Sequence, residues 1–302
     1  MGIEMITENG ILKSYQGTET EVMIGDMSSG EMISRIGSKA FLSCKTVQKL
    51  VLGDSVAEIG DWAFAHMQNL HTLILPCHEL TLGKKVFLDC TRLTRIEIRG
   101  DASGNEGTPY FMASAIRIMK DDMLCKPQKA GSKTYHQEWM EEYDSTLLHF
   151  LKQPDEKGFD PVFMGWFHVE DMDEQLPRYL MKRRRDKTEL VYQRLLYPAH
   201  MKEKTRQELY DFLRDHIPGG REEKVHILAF ELMCEESSPY NKDVRYVRIW
   251  EDGNLLSALV ISKLLEGMQS PSPEVTAFLL RKQGAARKKE DYFFGLNLSL
   301  IE

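Results

Sequence analysis

The sequence lacks the features that mark several common classes of protein. None of its apolar stretches reaches the roughly 18 uninterrupted residues typical of a membrane-spanning helix, so we expect no membrane span. The chain has only five cysteines, none of them in a CxxC pair, which argues against a disulfide framework and favours reduced thiols. Basic residues number 39 and acidic residues 46, and the net charge of −7 argues against a dedicated nucleic-acid-binding protein.

Motifs of the common enzyme and cofactor-binding classes are missing as well. The sequence has no GxGxxG or GxxxxGKS/T phosphate-binding loop and no GxSxG or HExxH motif. The acidic cluster at residues 170–174 lacks the spacing of a calcium-binding loop and is typical of charge at a helix N-terminus. We therefore expect no enzymatic activity, no catalytic residues, no metal and no cofactor.

The first ten residues contain neither a basic segment nor an apolar segment before a small-residue cleavage site. This pattern differs from that of a secretory signal peptide. We therefore expect the protein to be cytoplasmic.

An internal repeat of 23 residues runs through the first third of the chain. One glycine column and six apolar columns recur three times each, far beyond chance. The columns are Ile36-Gly37/Ile59-Gly60/Leu82-Gly83, Phe41/Phe64/Phe87, Cys44/Met67/Cys90, Val47/Leu70/Leu93, Leu50/Leu73/Ile96 and Leu52/Leu75/Ile98. Because a single coil leaves an apolar edge open, neighbouring coils must stack to form a core.

The pattern within one repeat predicts one short strand per coil, where two apolar residues alternate at period two. The rest of the coil, from the Ile-Gly step onward, is predicted to be its non-strand side, and the shared glycine suits a bend without room for a side chain. Residues 22–26 match residues 50–54, so we expect an earlier strand there, and residues 115–118 are expected to form a last, degenerate strand. The predicted repeat core comprises Ile36, Phe41, Leu50, Leu52, Ile59, Phe64, Leu73, Leu75, Phe87, Ile96 and Ile98.

The repeat resembles a known family. The string Ile59-Gly60-Asp61-Trp62-Ala63-Phe64, followed by Leu70, Leu73 and Leu75-Pro76, is similar to the BspA-like leucine-rich repeat, and residues 9–17 resemble the opening of such arrays. The resemblance covers about residues 5–100 and departs from the family pattern at Ala65-His66-Met67 and at Leu82, where the sites stay apolar. It implies a right-handed solenoid that serves as a recognition surface, with no catalytic residues to carry over.

The second half of the chain has a helical period. We expect a multidomain α and β protein: a short leucine-rich-repeat β-solenoid at residues 1–120, a linker at 121–140, and an all-α helical-hairpin domain at 141–302. The apolar pattern predicts helices of roughly 10–15 residues, one of them ending at Pro198. This part faintly resembles the ankyrin-like helical tails that follow such repeats in intracellular bacterial proteins.

The outward side of the predicted strands is the best candidate for a binding site. If Leu50 and Leu52 point inward, Val51 points outward, and its equivalents in aligned strands form a row about 4.8 Å apart. An exposed apolar strip often marks a partner site. The alternatives are that the strip packs on the helical domain or reflects β-propensity alone. The candidate partner-binding residues are Met23, Lys49, Val51, Thr72, Ile74, Arg95 and Glu97. We expect an unidentified protein or peptide as the partner.

Three other groups of residues carry weaker hypotheses. Cys44 and Cys90 share a column two coils apart, too far for a disulfide, and are expected to be buried and apolar in character. Cys77-His78-Glu79, with His66 and His71, suggests metal binding, but these residues are expected on different faces of a coil. The basic run at residues 182–187 suggests an alternative function, a regulator that contacts nucleic acid through Arg183, Arg184 and Arg185. A solvated helix surface is the favoured interpretation of this run.

Overall fold

The computed structural model describes residues 5–25, 32–76, 78, 80–99, 113, 133–159, 169–219, 227–236 and 238–298. The chain divides into two compact units, residues 1–147 and 148–302. The predicted fold class is confirmed: a β-solenoid of about three turns is followed by α-helices. The strand predicted at residues 115–118 lies outside the described residues.

The solenoid contains two strands per coil instead of the single strand that the sequence predicts. The strands are β1 (Met5–Glu8), β2 (Ile11–Tyr15), β3 (Glu21–Ile24), β4 (Arg35–Ile36), β5 (Lys49–Leu52), β6 (Glu58–Ile59), β7 (Thr72–Leu75), β8 (Thr81–Leu82) and β9 (Arg95–Ile98). One sheet has the order β3-β5-β7-β9 and the other the order β1-β2-β4-β6-β8, and all pairs are parallel except β1 with β2. The sequence does not reveal β4, β6 and β8 because a strand of two residues is too short to show an alternating pattern.

Neighbouring coils stack in the register that the repeat implies. Leu50 pairs with Leu73, and Leu73 pairs with Ile96. Leu75 pairs with Ile98 in the same way, although the burial of the Ile98 side chain lies outside the described part. The other ten residues of the predicted core have side chains that are at most 2% exposed. The apolar columns therefore form one continuous core through the solenoid.

An aromatic stack runs along the solenoid and shows where it begins. The rings of Phe41 and Phe64 are 5.7 Å apart, and Tyr15 continues the stack at 4.9 Å from Phe41. In the same N-terminal segment, Leu12 pairs with Ile36. Strand β2 thus supplies a first, irregular coil, which the 23-residue spacing missed because Leu12 precedes Ile36 by 24 residues and Tyr15 precedes Phe41 by 26.

The glycine column lies where neighbouring backbones approach each other closely. A Cβ atom on Gly60 would lie 2.6 Å from the backbone nitrogen of Ser38 and 2.9 Å from the carbonyl carbon of Gly37. A Cβ atom on Gly83 would lie 2.5 Å from the backbone nitrogen of Asp61. These glycines are therefore required by close packing between coils.

The side of the coil predicted to have no strand is also joined to its neighbour by backbone hydrogen bonds. The N–H of Phe41 donates to the carbonyl of Ala63 at 2.8 Å, and the N–H of Phe64 donates to the carbonyl of Val86 at 3.1 Å. Because these bonds repeat from coil to coil, this side of the stack satisfies backbone groups that would otherwise need water.

The second half of the chain is helical, as predicted. The helices are α1 (Lys133–Lys152), α2 (Val169–Leu196), α3 (Glu203–Arg214), α4 (Leu228–Cys234), α5 (Val244–Asp252), α6 (Ala258–Gly267) and α7 (Pro273–Leu298), with a 3-10 helix at Pro239–Asn241. Within the second unit, α2 contacts α3, α4 and α5, and α6 packs against α7. Helix α1 begins inside the segment expected to be a linker, so residues 133–140 are helical, while the domain boundary stays a prediction.

Helix α2 is longer than the apolar pattern indicated. It contains Pro177 in its interior and ends at Leu196, two residues before Pro198. Residues 170–174, the acidic cluster, lie in the first turns of this helix.

Candidate functional site

The outward residues of β3, β5, β7 and β9 form a surface that we call the strand face. Burial alternates along the strands. In β3, Glu21 and Met23 are exposed, whereas Val22 and Ile24 are buried. This alternation follows from the pleat, which directs successive side chains to opposite sides. The strand face comprises Glu21, Met23, Lys49, Val51, Thr72, Ile74, Arg95 and Glu97.

The predicted apolar strip lies in register across the sheet. Met23 pairs with Val51, Val51 with Ile74, and Ile74 with Glu97. Met23 is 48% exposed, and Val51 and Ile74 are partly exposed. We call Met23, Val51 and Ile74 the apolar row. The geometry places one apolar side chain on each of three adjacent strands, with a carboxylate at the end of the row.

Charged residues flank the apolar row and pair with one another. Lys49 Nζ lies 3.2 Å from a carboxylate oxygen of Glu21 on the adjacent strand. Arg95 forms an ion pair with Glu97 on its own strand. Thr72 lies between Lys49 and Arg95 in the register. The strand face thus carries equal numbers of positive and negative charges, and such exposed pairs contribute little stability.

Glu21 is a member of this surface that sequence reasoning missed. It occupies the position relative to Met23 that Lys49 occupies relative to Val51. That correspondence was visible in the sequence, but the connection after β3 is longer than in the later coils and obscured the alignment.

A polar row borders the strand face where the strands begin. Its members Thr20, Gln48, His71 and Thr94 are all exposed. Their backbones are joined in order: Gln48 donates to the Thr20 carbonyl at 2.7 Å, and His71 to the Gln48 carbonyl at 2.8 Å. This row was also missed, because it lies one residue before the alternating pattern. The polar row adds hydrogen-bonding groups to one border of the strand face, next to the residues that flank the apolar row.

The described helices include none with the length and apolarity needed to cross a membrane. The family model described as "BspA type Leucine rich repeat region" matches residues 22–112 in six copies. The resemblance to BspA-type leucine-rich repeats is therefore confirmed over this segment of the chain.

Two solved structures are similar to part of this chain. One is a leucine-rich repeat protein of T. pallidum, with 23% identity and a TM-score of 0.28 over 35% of this chain and 55% of that one. The other is a leucine-rich cell surface protein from Faecalibacterium prausnitzii A2-165, with 20% identity and a TM-score of 0.25 over 32% of each chain. The chain thus spans about half the length of the first structure and a third of the second. No curated protein matches the sequence.

Cys44 and Cys90 are free thiols and are partly exposed, whereas the sequence predicts that they are buried. Cys90 Sγ donates to the Phe64 carbonyl at 3.1 Å, and burial raises the pKa of this thiol to about 12. Cys44 Sγ lies 3.4 Å from the hydroxyl oxygen of Thr46. Both thiols therefore have local partners within the fold.

The histidines considered as metal ligands have partners of other kinds. His66 Nδ1 lies 3.1 Å from Asp89 Oδ2, and His78 Nε2 lies 2.8 Å from the carbonyl oxygen of Val56. Among the described residues, no three histidine, cysteine or carboxylate side chains converge on one point. Cys77 and Glu79 lie outside the described residues. His71 belongs instead to the polar row of the repeat region.

The basic run lies on helix α2 and holds the segment that follows helix α1. Arg184 and Lys187 contact the two carboxylate oxygens of Asp155 at 2.7 and 2.8 Å. Burial alone would raise the pKa of Asp155, but hydrogen bonds from Lys187 and Arg184 hold it below its usual value.

The neighbouring arginines of the run are also engaged within the helical unit. Arg185 pairs with Glu189 at 3.1 Å and with Glu235 at 3.0 Å. Arg183 donates to the Gln153 side chain at 2.8 Å and lies over the Phe150 ring at 4.7 Å. These contacts reduce the charge that the run offers to a polyanion, and nucleic-acid binding by Arg183, Arg184 and Arg185 stays a prediction.

Proposed function

We propose that this protein is a non-catalytic interaction protein whose repeat region binds another protein or peptide through the strand face. The observation that carries the proposal is the alignment of Met23, Val51 and Ile74 in one partly exposed row. The match to leucine-rich repeats supports a role in protein interaction. The helical unit provides a second surface or a rigid platform, and the complex forms in the cytoplasm.

Apolar contact supplies the affinity in this proposal. Fully burying an aliphatic or methionine side chain stabilises a complex by about 1.5–3 kcal/mol. The side chains of the apolar row are already partly buried, so each contributes a fraction of this energy when a partner covers its exposed area. Lys49, Arg95 and Glu97 set specificity, because a partner with the wrong charge beside them would be repelled. The polar row adds hydrogen bonds at the border, as the rim of a typical interface does.

Substitution of the apolar row tests the proposal. We expect Val51→Glu and Ile74→Glu to abolish capture of the same protein from native lysate, while the melting temperature changes little because both side chains are partly exposed. Leu42→Glu is the matched control, since Leu42 is 40% exposed but lies outside the strand face. With the purified partner, the Kd should rise at least about tenfold in both strand-face variants, a change of about 1.4 kcal/mol.

The outcome that contradicts the proposal is capture that survives both substitutions or is lost equally in Leu42→Glu. The first result would place the binding site elsewhere on the molecule. The second would indicate a general loss of solubility or fold.

A further inference from the structure

The four-stranded sheet ends at β3, and no strand in the described part of the chain pairs with the outer side of β3. In the same coil, β2 is extended by an antiparallel strand, β1. The chain therefore already uses antiparallel addition at the start of one sheet, while its other sheet has no described counterpart. An uncovered edge strand offers backbone N–H and C=O groups to another extended segment.

The backbone groups at this edge can be assigned from the β3–β5 pairing. The carbonyls of Thr20 and Ile24 accept hydrogen bonds from the N–H groups of the β5 coil at 3.0 and 2.6 Å. In a parallel pair, alternate residues direct both of their backbone groups to the neighbour. The N–H and C=O groups of Glu21 and Met23 therefore point to the outer edge, giving two donors and two acceptors.

The side chains at this edge give it little protection against pairing. Natural edge strands commonly carry a charge that would be costly to cover. Glu21 is the charged residue of β3, but its carboxylate is neutralised by Lys49 on its own sheet at 3.2 Å. Met23, next to it on the same face, is apolar and 48% exposed.

We propose that β3 pairs antiparallel with β3 of a second copy of this chain, with Val22 opposite Val22 of the second copy. This register places Glu21 opposite Met23 of the second copy and keeps the outward side chains of both strands on one face. It uses all the outward backbone groups of Glu21 and Met23 on both strands, which makes four hydrogen bonds. The result is one continuous sheet with a two-fold axis at its centre.

Two neighbouring registers also preserve the faces but are less favourable. A register centred on Glu21 sets two like charges directly opposite each other, which is destabilising. A register centred on Met23 brings Glu21 opposite Gly25 of the second copy. The carbonyl of Gly25 already accepts a hydrogen bond from the Ser55 hydroxyl at 2.7 Å, and its backbone leaves the extended conformation with φ +97°.

Sedimentation velocity tests the association. A pairing of four hydrogen bonds buries less than the roughly 1,200–2,000 Å² of surface that stable complexes bury, so we expect a weak dimer. Sedimentation is therefore measured over a series of protein concentrations that extends to high values. Met23→Pro removes one outward N–H from each copy and should raise the dimer Kd at least about tenfold. The fold should survive, because proline is tolerated on an edge strand where its missing N–H faces outward. Ile74→Glu, which disables the proposed partner site, should leave the dimer unchanged.

Cysteine pairs test the register independently of any folding defect in Met23→Pro. Opposite residues in a hydrogen-bonded antiparallel pair have Cα atoms about 5.5 Å apart, within disulfide range, whereas diagonal neighbours are about 7–8 Å apart. A mixture of Glu21→Cys and Met23→Cys proteins should therefore cross-link faster than either protein alone. Leu42→Cys, at 40% exposure, measures random collision.

A faster reaction in the mixture supports the proposal. Equal rates in the mixture and the single variants, a preference for Met23→Cys alone, or a rate no higher than that of Leu42→Cys overturns it. A wild-type protein that stays monomeric across the concentration series overturns it as well.

Discussion

The indole N–H of Trp250 donates a hydrogen bond to the hydroxyl of Tyr192 at 2.9 Å, and both side chains are completely buried. The Tyr192 hydroxyl in turn donates to the backbone carbonyl of Ala229 at 3.0 Å. This chain of bonds links helices α5, α2 and α4 and satisfies three polar groups inside the helical unit. Burial raises the pKa of Tyr192, so the hydroxyl stays protonated and able to donate.

Tyr192→Phe should destabilise the protein by about 1–3 kcal/mol, because it leaves the buried Trp250 N–H without its hydrogen-bond acceptor. Urea unfolding followed by tryptophan fluorescence measures the loss. Tyr179→Phe is the matched control: it removes a hydroxyl that donates to the Lys157 carbonyl at 2.7 Å at an exposed site, where water can replace it. An equal loss of unfolding free energy in both variants would show that burial of the hydroxyl does not determine how much its removal destabilises the protein.

The stacking of the coils was predictable because one spacing repeats in seven columns. A column such as Leu50, Leu73 and Ile96 can be recognised from the 23-residue spacing alone, and the structure pairs its members in order. The first coil was harder to recognise, since Tyr15 continues the phenylalanine stack from an irregular spacing. Repetition identifies the coils that obey it, whereas the first coil pairs with the antiparallel strand β1 on one side instead of with another coil, and its sequence departs from the spacing.

The contacts of the basic run could not be predicted from the sequence. Arg184 and Lys187 are separated from Asp155 by about 30 residues, and only the folded helical unit brings them together. Helix α2 also continues through Pro177, although proline usually ends or kinks a helix.

Gly60→Ala should destabilise the repeat region by about 1–3 kcal/mol, the range typical of overpacking. The added Cβ would lie 2.6 Å from the backbone nitrogen of Ser38, and a backbone atom of the adjacent coil cannot move away as a flexible side chain would. Thermal unfolding of the full chain measures the effect.

Gly284→Ala is the control for this substitution. A Cβ on Gly284 in helix α7 would meet nothing within 4 Å, and alanine is favoured over glycine in a helix by about 1 kcal/mol. We expect this variant to be neutral or slightly more stable. A stable Gly60→Ala protein would contradict the argument that coil packing requires glycine.

Cys90 should react slowly with iodoacetamide at pH 8 in the native protein. Its pKa is raised to about 12 by burial, so little thiolate is present. Because the folded pKa lies above the unfolded value of about 8.5, the contribution of this group to stability is complete below pH 8.5 and falls as the pH rises toward 12. Mass spectrometry of the Cys90 peptide, compared with protein unfolded in urea, measures the rate. Equal rates in the two states would contradict the prediction.

Asp155→Asn should lower the free energy of unfolding at pH 7 by about 1–3 kcal/mol, because the ammonium group of Lys187, which is nearly buried, loses its carboxylate partner. The folded pKa of Asp155 lies below its unfolded value, so the stabilisation is present above the unfolded pKa of about 3.9 and is lost as the pH falls through the folded pKa. The difference between wild type and variant should therefore shrink below about pH 4. Lys182→Gln is the control: its exposed pair with Asp186, at 3.4 Å, should contribute at most about 0.5 kcal/mol. A difference that does not change with pH would show that charge pairing at Asp155 is not what the substitution removes.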